Sequence, residues 1–229
     1  MEVFQHEIMY WLTLTLIIIL GLFMLSTFIN FIRKKKKATL YLALNYLSFI
    51  GALILFYFGH LDVVNAGTVT KFYFDATMFA NAFIVAGILV IILFHEQFTE
   101  ISKVRKYIAL IFGMVLIIWI LVPLNYETAL PGEFHVKFIT YTLMTFYGAL
   151  VYAALSYSFF KLTRLATQKR VQLVALGIGS LLFLAYYINM TVYGILQDFL
   201  LMTTGMIIIF GACLSLFIGI YLPKFTSKK

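Results

Sequence analysis

VQLVALGIGSLLFLAYYINMTVYGILQDFLLMTTGMIIIFGACLSLFIGIYLP, residues 171–223, contains a single charged side chain, Asp198. As one α-helix rising about 1.5 Å per residue it would run roughly 80 Å, against a bilayer hydrocarbon core of about 30 Å. It must therefore fold back on itself, and the turn is predicted at Tyr193-Gly194-Ile195-Leu196-Gln197-Asp198. Working outward, charge-free runs recur through the rest of the chain. Together they predict seven membrane spans, at 8–32, 38–60, 72–94, 107–124, 139–160, 171–193 and 199–222.

The composition agrees: the 229 residues are 63% hydrophobic and 11% charged, with a mean hydropathy of +1.01. A soluble domain carries about 25% charged residues, so a water-soluble globule is excluded. Backbone groups in hydrocarbon must be paired internally, and runs of this length suit helices. A barrel would show alternating segments of about ten residues. The fold class expected is an all-α membrane protein, a seven-transmembrane helix bundle forming one domain over 1–229.

Charge sets the direction. Arg33, Lys34, Lys35, Lys36, Lys37, Lys103, Arg105, Lys106, Lys161, Arg164, Lys169, Arg170, Lys224, Lys228 and Lys229 fall on one side of a seven-span arrangement, and only Lys71 and Lys137 on the other. Glu2, Glu7, Asp62, Asp75, Glu127, Glu133 and Asp198 take the opposite side, leaving Glu96 and Glu100 with the basic set. Fifteen basic against two acidic residues give +13 on one face. Two against seven give −5 on the other, and the whole chain is +8. The positive-inside rule then predicts the N-terminus outside and the C-terminus inside. The basic surplus is assigned to topology and to anionic headgroups of the lipid bilayer, not to nucleic acid. The start is acidic and the basic block follows the first span, which predicts a retained anchor and not a cleaved signal peptide.

Spans associate in lipid through close packing and interhelical hydrogen bonds. Gly211, Ser215 and Gly219 make a small-residue stripe in span seven, fit for packing within the chain or for a homodimer through that span. Cys213, the only cysteine, reads as a packed residue. Tyr10, Trp11, Tyr73, Trp119, Tyr126 and Tyr193 near the outer boundary, with Tyr41, Tyr107, Tyr157 and Tyr221 near the inner one, read as interfacial anchors.

Polar residues within spans are costly unless they face the interior, so they mark candidate sites. Asp75 and Asn81 in span three, Tyr141 and Tyr147 in span five, Tyr186, Tyr187 and Asn189 in span six, and Thr203 and Thr204 in span seven fall in the outer half or near the middle. A cleft lined by them fits a small-ligand site of aromatics with a few amides and hydroxyls. The same residues also fit an interhelical hydrogen-bond network with no ligand. Asp75 has Lys71 one turn earlier as a local ion-pair partner. Asn45 reads as structural. His6, His60 and His135 map outside, near Glu7, Asp62 and Glu133, which admits an outer metal or proton-sensing cluster. Their spacing carries no ligand pattern, so they read as solvated loop histidines, and His95 marks the inner boundary of span three.

Seven spans with these termini are similar in layout to microbial rhodopsins and G-protein-coupled receptors. A retinal protein needs a lysine in the seventh span, and residues 199–223 have none, so no cofactor is expected. Residues 94–97 read Phe-His-Glu-Gln where the receptors carry an acidic-Arg-aromatic triplet, and no Asn-Pro-x-x-Tyr segment occurs. The absence of a Pro-Gln pair separates the chain from PQ-loop sugar transporters. The span pattern, with basic starts such as Lys169-Arg170-Val171-Gln172-Leu173, resembles the seven-helix sensor modules at the front of many prokaryotic histidine kinases, from which the chain departs in lacking a kinase domain. That resemblance implies a receptor-like role and carries over no functional residue.

The expected function is a multi-pass sensor or receptor-like protein of the cell membrane. It would have an outward small-ligand pocket and a basic cytoplasmic face for a cytoplasmic or membrane partner protein. The alternatives are a small-solute transporter and an accessory subunit of a membrane complex. Transport of ions favours ionisable groups near the midplane, whereas Asp75 and Asp198 are peripheral. No nucleophile–base pair or ligand cluster is visible, so no catalytic or metal-binding residue is assigned.

Overall fold

The computed structural model describes residues 3–127, 135–164, 169–196 and 199–221. Glu2, Glu133, Asp198, Lys224, Lys228 and Lys229, all used in the charge balance, lie outside them. The described residues form α1 (Val3–Lys34), α2 (Lys37–Ala66), α3 (Lys71–Glu96), α4 (Lys103–Ile120), α5 (Phe138–Thr163), α6 (Arg170–Leu196) and α7 (Phe199–Tyr221). Between α4 and α5 come a 3-10 turn, Pro123–Asn125, and two-residue strands β1 (Tyr126–Glu127) and β2 (His135–Val136). The strands pair antiparallel, Tyr126 opposite Val136 and Glu127 opposite His135. The 171–223 stretch is divided within the expected turn, but later than predicted: Tyr193, Gly194, Ile195 and Leu196 continue α6, and α7 starts at Phe199.

Six of these helices are long and apolar enough to cross a membrane. The exception is α4, whose 18 residues reach roughly 27 Å and begin with Lys103, Arg105 and Lys106. Large apolar side chains stand exposed along the helices, among them Leu22 and Leu25 on α1, Leu47 on α2, Ile111 and Ile118 on α4, Leu181 on α6 and Ile207 on α7. Such outward faces are unsuited to water and suited to lipid.

Helix ends follow from local chemistry. Gly67 closes α2 in the left-handed region (φ 70°), its N–H bonding the Val63 carbonyl, a conformation glycine adopts without steric cost. Thr70 opens α3, its hydroxyl oxygen accepting from the Tyr73 N–H while its O–H donates to the Asp62 carboxylate. The α1–α2 turn is tighter and uses Lys35 at φ 51°, a left-handed lysine that costs on the order of 1 kcal/mol. Arg33 and Lys34 before it and Lys36 and Lys37 after it are all exposed.

The chain packs as two units, Met1–Met144 and Thr145–Lys229, with α5 beginning in the first and continuing in the second. In the first unit, buried Met9, Leu16 and Leu20 of α1 accompany Leu42, Tyr46 and Phe49 of α2. Asn45 Nδ2 donates to the Gly87 carbonyl at 2.9 Å, joining α2 to α3 as a structural amide would. In the second unit, Ser215 donates to the Ala175 carbonyl at 2.8 Å. Gly179 lies against Leu216, and Gly219 against Leu176. The small-residue stripe of α7 is thus filled by α6 of the same chain. Ser156 of α5 donates to the Gly177 carbonyl of α6 at 3.2 Å.

Candidate functional site

In the second unit, α5 and α6 build a stack of aromatic rings. Tyr152 lies parallel to Phe183, with ring centroids 4.5 Å apart and planes inclined by 16°. Tyr187, one turn beyond Phe183 on α6, continues the stack at 5.7 Å from Tyr152, and Tyr186 meets Tyr187 edge-on at 5.2 Å. Gly148 of α5 makes room for Tyr187, because a Cβ there would lie 2.5 Å from its ring. Tyr152, Phe183 and Tyr187 are buried, as is Tyr147 on α5. Burying a phenol is favourable when its hydroxyl finds a partner. The Tyr187 hydroxyl is buried and has no hydrogen-bond partner among the described residues.

Asn189, half a turn further along α6, donates from Nδ2 to the Leu201 carbonyl of α7 at 2.7 Å. Gly205 of α7 allows this approach, since a Cβ there would come within 3.1 Å of that amide nitrogen and 3.5 Å of the Tyr186 ring. Thr203 is half-buried and spends its hydroxyl on its own helix, donating to the Phe199 carbonyl at 2.8 Å. Thr204 is exposed. Of the nine residues predicted from sequence, Tyr147, Tyr186, Tyr187, Asn189, Thr203 and Thr204 belong to this unit. Tyr152, Gly148 and Gly205 were not among them.

Asp75, Asn81 and Tyr141 belong to the first unit. Asn81 and Tyr141 are buried. Asp75 is paired locally: Lys71 Nζ is 3.9 Å from its carboxylate, with side chains 91% and 41% exposed respectively. A pair so open to its surroundings contributes under about 1 kcal/mol.

The same unit holds a cluster that sequence spacing does not reveal. His6 of α1 and His60 of α2, read as loop histidines, are helical and buried at 1% and 0% exposure. Their Nδ1 atoms are 2.8 Å apart. Tyr73 of α3, read as an interfacial anchor, is buried against both, with ring centroids 5.3 Å from His6 and 5.5 Å from His60. Phe56 flanks His60 at 6.5 Å. One turn along, Tyr57 and Tyr10 stack at 4.6 Å and share a hydroxyl–hydroxyl bond of 2.8 Å. Gly59 brings α2 up to α3 here, its missing Cβ falling 3.1 Å from the Tyr73 ring.

At the other end of the first unit, Lys106 Nζ donates to Glu96 Oε1 at 2.6 Å, tying α4 to α3. That hydrogen bond holds the ammonium above the ordinary lysine range. Among the described residues no group of three or more His, Cys, Asp or Glu side chains is arranged to hold a metal ion. No protein-family model, curated protein or solved structure matches the chain.

Proposed function

We propose that the chain is a receptor-like membrane sensor that crosses the bilayer seven times, N-terminus outside and C-terminus inside. In this reading it binds a small ligand within the outer half of the α5–α7 unit and offers a basic cytoplasmic face to a partner protein. The seven-span reading takes α4 as the span that returns the chain outward. Its exposed Ile108, Ile111, Val115 and Ile118 support this, as does a basic first turn suited to the inner boundary.

The observation that carries the ligand reading is the Tyr187 hydroxyl. A buried polar group without a partner costs about 1–3 kcal/mol, and such groups persist where something else is to be bound. The surroundings suit a small molecule with an apolar body and one hydrogen-bonding group. The stacked rings of Tyr152 and Phe183 and the edge-on ring of Tyr186 supply the apolar contact, and Tyr187 supplies a donor. The full chain in lipid nanodiscs, heated with a panel of small alcohols, amides and amines, tests this. At least one compound should raise the unfolding temperature of the wild type and fail to raise that of Tyr187→Phe. The Phe variant without ligand should be as stable as the wild type or more so, having lost an unsatisfied hydroxyl. A panel that shifts neither protein, or both alike, would sink the proposal.

A further inference from the structure

We propose that His6 and His60 form a proton-operated latch between the N-terminal end of α1 and the C-terminal end of α2, closed while both imidazoles are neutral and opened by the first proton the pair takes up. The argument is a count of protons on four nitrogens. At 2.8 Å the two Nδ1 atoms share one hydrogen, one donating and the other accepting. A neutral pair carries two protons in all, so one remains for the Nε2 positions. The His60 Nε2 is buried and has no hydrogen-bond partner among the described residues. A bare acceptor there is tolerated better than an orphaned N–H. The neutral pair therefore places its second proton on His6, and His60 donates from Nδ1 with Nε2 bare.

A third proton has nowhere acceptable to go. With one hydrogen kept between the Nδ1 atoms, the other two must occupy both Nε2 positions, whichever ring carries the charge. His60 then presents an N–H to an apolar, buried surrounding and the pair carries a positive charge without a bonded anion. A fourth proton would set two Nδ1–H groups against each other, which a 2.8 Å contact forbids. The closed arrangement thus holds fewer protons than two free histidines at the same pH.

The neighbouring groups do not relieve this. From α3, Tyr73 meets both rings with its own ring and brings no carboxylate to them. On α2, the Asp62 carboxylate is engaged by the Thr70 hydroxyl, and Tyr57 is bonded to Tyr10 of α1. Glu7, next to His6 on α1, is exposed. On the first turns of α3, Lys71 and Asp75 pair with each other. Opening frees both imidazoles to take up protons in the ordinary histidine range near about 6.5, so acid in that range favours the open arrangement, and in the orientation proposed above it acts from the outside. The latch stands independently of the ligand reading, which concerns the other unit.

The test is a distance. Spin labels on Phe4→Cys and Asn65→Cys, both exposed positions, in a Cys213→Ala background, report the α1–α2 separation of the full chain in nanodiscs. Between about pH 7.5 and pH 5, the distance should lengthen and its distribution broaden in the otherwise unaltered protein. In His60→Gln the amide at position 60 does not titrate and can donate to His6 Nδ1 or accept from it in either protonation state, so the distance should be the same at both pH values. A pH-independent distance in the protein with both histidines overturns the latch, whatever the variant does. So does an equal opening in a folded His60→Gln protein, which would put the response elsewhere.

Discussion

The ring of Tyr187 lies over the α-carbon of Gly148, so that a Cβ at that position would fall 2.5 Å from two of its ring carbons. The ring has little room to withdraw, being buried and stacked on Tyr152. Gly148→Ala should therefore strain the α5–α6 packing and destabilise the protein by about 1–3 kcal/mol, the usual range for overpacking. Thermal unfolding in detergent reads this. The control is Gly177→Ala, where the nearest atoms, at 3.0 Å, belong to the partly exposed ring of Phe160, which can swing aside. An unchanged unfolding temperature for Gly148→Ala would mean that the α5–α6 contact is looser than described.

The α6–α7 seam makes a second comparison within one helix. A Cβ on Gly219 would lie 2.7 Å from the Leu176 side chain and 3.1 Å from its backbone nitrogen, so the helices themselves would have to separate. A Cβ on Gly211 would meet only Leu182, at an ordinary 3.5 Å. Gly219→Ala should lower stability, whereas Gly211→Ala should be neutral or add up to about 1 kcal/mol through helix propensity. Equal effects of the two substitutions would contradict the seam.

The helices were readable because the bilayer demands a minimum length and an apolar character of a segment that crosses it. The division of residues 171–223 near Asp198 follows from that constraint alone, and Asn45 was recognisable as structural because it is isolated in an apolar span. What a side chain meets was less readable. His6 and His60 are separated by 54 positions, and nothing in either local sequence announces the other. Their contact depends on how α1 and α2 rotate about their own axes, which a helix apolar all round leaves open. Thr203 and Thr204 show the same limit. Both are hydroxyls at a suitable depth, but one bonds its own helix and the other is exposed.

Asn45 provides the third prediction. Its amide donates to the Gly87 carbonyl, and Gly87 is small enough for Asn45, Ser48 and Phe49 to lie close to it. Interhelical hydrogen bonds in membranes contribute about 0.6 kcal/mol on average and up to about 1.7. Asn45→Ala should fall within that range, enlarged somewhat by the lost packing. Asn45→Asp should cost more, because a carboxylate has no donor for that carbonyl and must either stay charged in a buried site or take up a proton to regain one. Unfolding temperatures that rank Asp above Ala would show that the amide is not the joining group.

The last prediction decides between six and seven crossings. Cys213 is the only cysteine and is fully buried, so the wild type should react little with a membrane-impermeant maleimide, and single cysteines at exposed positions can report their side. In the proposed orientation Asn65 follows two crossings from the outer face and Lys36 follows one, so Asn65→Cys should label in intact cells and Lys36→Cys only after permeabilisation. These two test the direction given by the basic residues. Leu124, exposed just beyond α4, tests the count. If α4 crosses, Arg105→Cys lies inside and Leu124→Cys outside, and every later helix keeps the direction that puts Lys161, Arg164, Lys169 and Arg170 in the cytoplasm. If α4 lies along the inner surface instead, Leu124→Cys reacts only after permeabilisation. Lys161, Arg164, Lys169 and Arg170 would then be carried outside, against the charge rule. Protection of Leu124→Cys in intact cells would overturn the seven-span reading and leave the aromatic cluster of α5–α7 facing the opposite way.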